Sequence, residues 1–385
     1  MTIVGLIARN SRRHMLRTSL TIVGLAIAVM AFAVIRTTID AWYAGAAAAS
    51  PNRLIVRNAI SLVFSLPLAY KEKIAKIDGV TAVSYSQWFG GTYIDESNFF
   101  VQFAVDPNTW FNLYPEYIIP DGEMADFQSQ RNAVIVGRLL ADRFGWKLGD
   151  AVRLTGTIYP GDWDFVIRGI YTGAKENTDE SQWFFRWDYL DERMKQEMPG
   201  RAGQVGDFVI EIANPADAAG ISEEVDSTFD NSLAETLTET EESFQLSFVS
   251  MASSIITGLR IISFLVIGII LLVLANTMAM TARERISEYA LMKTLGFRAF
   301  HIIGLIGGES LFIATLGGIA GIALTFPIAA LIHAALTNIF PLFSVDPINL
   351  IMGGVASLAV GLLAAIFPTL KAIRTSIVDG LRIID

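Results

Sequence analysis

The residues with chemical potential sit in or beside apolar tracts. Glu309 lies about three turns inside a long apolar run that begins near Phe300. A carboxylate at membrane depth is costly unless paired, which makes it a functional candidate by default. Its expected partners are backbone amides or a polar residue of the preceding apolar run, Asn276 or Thr281. Fixing a helix pair is a simpler role for it than relaying protons. Gly308-Glu309-Ser310 opens like a Gly-x-Ser-x-Gly nucleophile elbow, but Phe312 occupies the last glycine position and no strand-turn-helix surrounds it. The three histidines, His14, His301 and His333, form no His-Glu-x-x-His pattern, so a zinc hydrolase finds no support. There is no cysteine, hence no disulfide and no thiolate metal site. No Gly-x-x-x-x-Gly-Lys-Ser/Thr occurs in this sequence, so ATP, if used, is bound by another chain. The chain is read as a non-enzyme that needs no cofactor of its own.

A second cluster is Glu284, Arg285 and Glu288, followed by Leu291, Met292, Leu295 and Gly296. On a short helix, positions three and four apart share a face, so the three charges fall together with apolar residues beside them. Such a helix can press its apolar face into a partner groove and pair charges at the rim. Rim charges contribute little to folding, so replacing all three with Ala is expected to leave the chain folded. The alternative is a solvated interfacial helix whose charges only hold topology. Gly304-x-x-x-Gly308 and Gly317-x-x-x-Gly321 are small-residue pairs that let helices approach closely, within one chain or between two.

These residues must be positioned by membrane spans. Of 385 residues 52% are hydrophobic, and the excess lies in blocks. Four stretches can cross a bilayer: Thr18–Ile35, Ile261–Ala282, Phe300–Leu336 and Ile348–Leu370. The third is too long for a simple crossing. It reads as a helix kinked near Pro327 or a span with a re-entrant piece. The first also resembles a secretory leader ending in Ala46-Ala47-Ala48-Ala49. Basic residues set direction: Arg9, Arg12, Arg13 and Arg17 precede the first span, Arg283, Arg285, Lys293 and Arg298 follow the second, and Lys371, Arg374 and Arg382 follow the fourth. With four spans, all three basic segments are expected in the cytoplasm. A short outer loop is expected near Asn338–Asp346.

The block between the first two spans is then extracytoplasmic. Residues 41–259 carry 16 Lys and Arg against 31 Asp and Glu, while the remainder nets +6. An acidic outer block argues against a nucleic-acid partner. Strands are expected at Arg53–Arg57, Thr81–Ser84, Phe100–Val105, Ala151–Leu154, Phe165–Ile170 and Asp207–Ile212, with helices at Leu68–Ile77 and Pro215–Phe229. The class is thus a polytopic α-helical membrane protein, four transmembrane helices, with a large α+β extracytoplasmic domain inserted between helices 1 and 2. The aromatics Trp183, Phe184, Phe185, Trp187 and Tyr189 read first as core, and second as a docking wall. Phe244, Phe248, Met251 and Ile255 recur with helical spacing, so one helix from Glu242 to Arg283 is expected, a stalk continuous with the second span.

The stretch Asn276-Thr-Met-Ala-Met-Thr-Ala-Arg-Glu-Arg-Ile-Ser-Glu-Tyr-Ala-Leu-Met-Lys-Thr-Leu-Gly296 resembles the signature of the FtsX-like, MacB-type ABC transporter permeases. Glu309 with Gly317, Gly318 and Gly321 is similar to their third span, and Pro368 with Gly380-Leu381-Arg382 to their tail. Val80, Val134-Ile-Val-Gly137 and Leu148-Gly149-Asp150 are similar to their outer domain. Tyr289 and Ala290 depart from the Ile and Gly frequent there. The resemblance implies domains at 1–40 (first span), 41–242 (outer domain, with core halves 53–105 and 206–242 and an inserted subdomain 106–205), 243–282 (stalk and second span), 283–298 (coupling helix) and 299–385. It implies a homodimer in the bacterial cytoplasmic (inner) membrane with a separate ABC ATPase subunit. ATP-driven mechanotransmission would move the outer domains for export, efflux or lipoprotein and lipid handling. A periplasmic adaptor or substrate protein and membrane lipids are further implied partners. Glu284, Arg285, Glu288, Leu291, Leu295 and Gly296 would couple to the ATPase. Gly317, Gly318, Gly321, Glu309 and Asn276 would pack helices. Regulation of cell-wall hydrolases, or a sensor or scaffold without ATPase, are the alternatives.

Overall fold

The computed structural model describes residues 15–175, 177–336, 340 and 343–378. Arg9, Arg12, Arg13, His14, Asn338 and the Gly380-Leu381-Arg382 ending lie outside the described residues. Two compact units separate: residues 1–41, 252–335 and 343–385 form one, and residues 42–251 with 336–342 the other.

Among the described residues, four helices are long and apolar enough to cross a membrane. They are α1 (Met15–Ala48), α9 (Ser253–Glu284), α11 (Ala299–Leu336) and α12 (Pro347–Arg374). The third apolar tract is one helix with Pro327 inside it, about 57 Å long at 1.5 Å per residue. The unbroken stalk expected from Glu242 to Arg283 is instead two helices: α8 (Glu241–Met251) ends, and α9 begins after a turn at Ala252.

Small residues bring the spans together. A Cβ on Gly317 would lie 2.7 Å from the Leu25 side chain, and one on Gly321 would lie 2.7 Å from the backbone oxygen of Ala26. Thus Gly317-x-x-x-Gly321 packs α11 on α1 within one chain. Gly318 faces Ser357 of α12, and Gly361 approaches the Ala314 methyl. Two serine hydroxyls bridge this seam: Ser310 Oγ donates to Gly361 O (2.6 Å) and Ser357 Oγ to Ala314 O (2.7 Å). Ser310 is therefore a packed hydroxyl bonded to a carbonyl, in keeping with rejection of the nucleophile elbow. At the other end of α1, Asn349 Nδ2 donates to Asp40 Oδ2 at 2.6 Å.

The second unit is built on β-strands β1 (Arg53–Asn58), β2 (Leu66–Pro67), β3 (Val80–Trp88), β4 (Gly91–Thr92), β5 (Val101–Val105), β6 (Tyr117–Ile118), β7 (Ala133–Gly137), β8 (Ala151–Gly156), β9 (Gly161–Gly173), β10 (Gln182–Arg186), β11 (Gln204–Val205), β12 (Asp207–Ile212) and β13 (Thr236–Thr240). Helices α2 (Tyr70–Ile74), α3 (Trp110–Leu113), α4 (Asp121–Ser129), α5 (Arg138–Phe144), α6 (Trp187–Glu197) and α7 (Ala218–Thr228) complete it. The main sheet runs β13-β1-β12-β3-β5-β10-β7-β9-β8-β4, with β6 pairing on β9. Strands from 106–205 extend the same sheet as β1, β3, β12 and β13.

Both faces of this sheet are covered, which explains its continuous apolar runs. Alternation sends Leu54 and Val56 of β1 to one core and Ile55 to the other. The same holds for Trp183 and Phe185 against Phe184 of β10. The aromatic cluster is therefore core: Trp183, Phe184 and Phe185 are fully buried and Trp187 nearly so. Phe165 meets Trp183 and Phe185 edge-on, with ring centroids 5.4 and 4.9 Å apart.

One arginine ties together the segments where the chain enters and leaves this domain. Arg53 Nε lies 2.8 Å from Glu241 at the start of α8, Nη2 lies 2.6 Å from Glu116, and Nη1 donates to Leu113 O at 2.9 Å. Its guanidinium stacks 4.2 Å above the Tyr114 ring. Burial works against its charge, but the two carboxylates prevail and hold it above its ordinary range.

Candidate functional site

Helix α10 (Ile286–Thr294) joins α9 to α11, and three devices hold it. At its start, Arg285 stands between the two helices. Its Nε donates to Glu288 Oε2 at 2.9 Å and its Nη1 to Glu309 Oε2 at 3.1 Å. Arg285 and Glu309 are both nearly buried, with 12% and 7% of their side chains exposed, whereas Glu288 is half-exposed. On its inner face, Tyr289 and Ala290 are buried, and Tyr289 joins the core of the spans with Ile302, Leu305 and Ile306. Burial pushes the Tyr289 phenol up to about 12, with Arg285 opposing and Glu309 and Glu288 adding. At its end, Lys293 Nζ donates to the carbonyls of Ala372 (3.1 Å), Ile373 (2.9 Å) and Thr375 (2.7 Å). An ammonium there satisfies orphan carbonyls and complements the dipole of α12.

The helix stops at a glycine. Gly296 has φ +88°, Phe297 N donates to Met292 O at 3.0 Å, and Gly296 N to Lys293 O at 3.1 Å. This paired pattern is a Schellman cap, whose left-handed position favours glycine. Gly296 therefore ends α10 and turns the chain toward α11. Around the cap the surface is open and apolar: Leu291 is 56% exposed, Leu295 70%, Phe297 43% and Phe300 77%.

The three charges do not form one exposed rim. Glu284 is held bidentately by Arg17 of α1, with oxygens 2.9 and 3.0 Å from its two Nη atoms. Arg285 is turned inward to Glu309. Only Glu288 borders the open face. The sequence points to backbone amides, Asn276 or Thr281 as partners of Glu309, and that is corrected: a charged partner, Arg285, 24 residues upstream, donates to it. Thr281 Oγ1 instead donates to Thr277 O of its own helix at 3.0 Å. Asn276 faces outward, lining a cavity with Arg283 and Lys371. Arg17 and Lys293 were noted only as topology markers. Phe297 and Phe300 were missed, although two aromatics directly after a Leu-Gly helix stop were visible in the sequence.

Residues 18–228 match the model of the MacB-like periplasmic core domain, over half of the chain, and residues 260–377 that of the FtsX-like permease C-terminal region. The chain belongs to the FtsX-like, MacB-type ABC transporter permeases. The permease is 24% identical over 328 residues to an uncharacterized ABC transporter permease, MJ1507, of Methanocaldococcus jannaschii, covering 80% of this chain and 77% of that one. It is 26% identical over 341 residues to another, YvrN, of Bacillus subtilis, covering 83% and 76%. Among solved structures, it is similar to the extracellular domain of the noncanonic ABC-type transporter YknZ from Gram-positive bacteria (14% identity, TM-score 0.37, 49% of this chain and 99% of that chain). A second is the periplasmic region of MacB from Actinobacillus actinomycetemcomitans (9%, 0.37, 51% and 92%). In the permease, α10 falls inside the matched C-terminal region, and β1 to β12 inside the matched core domain, with β13 just beyond it.

Proposed function

We propose that this permease couples ATP hydrolysis by a separate ABC ATPase subunit to movement of its extracytoplasmic domain, and that α10 is the coupling element. The observation that carries the reading is a short helix fixed on one side and open on the other. Arg285–Glu309, Arg17–Glu284 and the Lys293 cap fasten the region to the spans, while Leu291, Leu295, Phe297 and Phe300 face outward. A push on a helix held this way is passed to α11 and α12 rather than lost in a loop. Leu291 and Leu295 supply the docking face, Gly296 sets its shape, Glu288 lies at the rim, and Glu284 and Arg285 fix the base. Glu309, Gly317, Gly318 and Gly321 serve packing.

In this reading the assembly is a homodimer with two ATPases in the bacterial inner membrane, with both termini and α10 in the cytoplasm. The basic residues Arg17, Arg283, Lys293, Arg298, Lys371 and Arg374 at the same ends of the spans support that orientation. The work done is export, efflux or lipoprotein and lipid handling, with or without a periplasmic adaptor.

Leu291→Ala with Leu295→Ala tests the docking face. Truncating two interface leucines costs about 2 kcal/mol or more, which is roughly 30-fold in affinity. ATPase co-purification is expected to fall by that order while membrane insertion and thermal stability hold. Full association by the double variant would make α10 a topology anchor and put the ATPase contact elsewhere on the chain.

A further inference from the structure

A cavity of about 410 Å³ opens between the charged ends of α9 and α12, lined by Asn276, Met280, Arg283, Phe367, Pro368 and Lys371 among others. Asn276, Met280 and Arg283 recur at i, i+4 and i+7 and so share one face of α9; Phe367 and Lys371 share one of α12. Among the described residues, no carboxylate lines the cavity. The side chains of Asn276, Arg283 and Lys371 form no hydrogen bond or ion pair among the described residues. Arg17, Arg285 and Lys293 at the same ends are paired; Arg283 and Lys371, unpaired among the described residues, face one cavity together. Met280 and Phe367 are 50% and 66% exposed, so apolar walls run outward from the polar groups.

Arg283 and Lys371 stand where the apolar stretches stop, the depth at which lipid phosphates lie. Asn276 is about 10 Å deeper along the helix. The two C-terminal helix dipoles disfavour an anion by about half a charge each, but two full positive charges exceed them, and Lys293 already covers the end of α12. We infer that this cavity binds the headgroup of an anionic phospholipid. The phosphate sits between Arg283 and Lys371, Asn276 donates to an ester oxygen, and an acyl chain follows Met280 and Phe367.

The full chain, purified in detergent, is titrated with phosphatidylglycerol and with phosphatidylcholine and read by native mass spectrometry. One phosphatidylglycerol per chain is expected, held about tenfold more tightly than phosphatidylcholine. Arg283→Gln with Lys371→Gln lowers that affinity about tenfold or more. Arg283→Lys with Lys371→Arg keeps it, and so does the charge-matched pair Arg298→Gln with Arg374→Gln. Equal losses in both Gln pairs, or no loss in the first, would overturn the site. Displacement by millimolar inorganic phosphate would make it a free-anion site. Disulfide formation between two copies carrying Phe367→Cys would show that a second chain covers the cavity, and would also overturn it.

Discussion

Arg285→Met is expected to destabilise the membrane-spanning unit by about 3–5 kcal/mol. The substitution keeps much of the side chain's length and removes the charge, so the nearly buried Glu309 loses the guanidinium that donates to it at 3.1 Å. Removing one partner of a buried pair strands the other, and the desolvation already incurred is no longer offset. Glu309→Gln is expected to cost less, because Arg285 keeps Glu288 at 2.9 Å and the amide still accepts a hydrogen bond. The double variant should cost less than the sum of the singles, since neither charge is then orphaned. Thermal unfolding of the purified chain in nanodiscs checks the order. Equal midpoints for wild type and Arg285→Met would mean the pair is not a fastening of α10. The structure thereby reverses the expectation that Glu284, Arg285 and Glu288 can be replaced without structural cost. Two of the three hold helices together.

The second large effect concerns Gly321. A methyl there meets the backbone oxygen of Ala26 and the Cβ of Val29, both at 2.7 Å. A flexible side chain could turn aside, but a helix carbonyl cannot, so α1 must move. Gly321→Ala is therefore expected to cost about 1–3 kcal/mol, as overpacking does. Gly304→Ala is the control, since a Cβ there meets nothing within 4 Å. It should be neutral or stabilise by up to about 1 kcal/mol, from helix propensity alone. The same nanodisc melts separate the two. Identical behaviour would mean that α11 and α1 are not in close contact at Gly321.

The parts legible in the sequence were those written in local pattern. Apolar runs bounded by Arg260, Arg283 and Lys371 specify spans, because hydrocarbon length converts directly into residue count. The strands around Leu54, Phe165 and Phe208 were legible as short apolar or alternating runs, and the aromatics from Trp183 to Trp187 were readable as core. The contacts between spans were not. Nothing local says that Arg285 turns away from solvent to Glu309, or that Lys293 reaches the end of α12 some 80 residues later. A charge near a membrane boundary reads equally well as rim, anchor or buried partner. The break at Ala252 was illegible too, because alanine is the strongest helix former and no Gly or Pro marks the spot. Gly317 and Gly321 announced close approach but not its partner, which is a property of the fold.

The central claim is that α10 receives an ATPase. A chain without cysteine allows a direct measurement: Leu295→Cys, carrying a short photo-crosslinker, is irradiated in native membranes and the adduct identified. Leu295 is 70% exposed beyond the last turn of α10, so the probe reports what covers that face. The account predicts a single major adduct with a separate chain bearing an ATP-binding phosphate loop, abolished when Leu291→Ala is added. An adduct only with lipid or with this same chain, under conditions in which the transporter is intact and active, would contradict it.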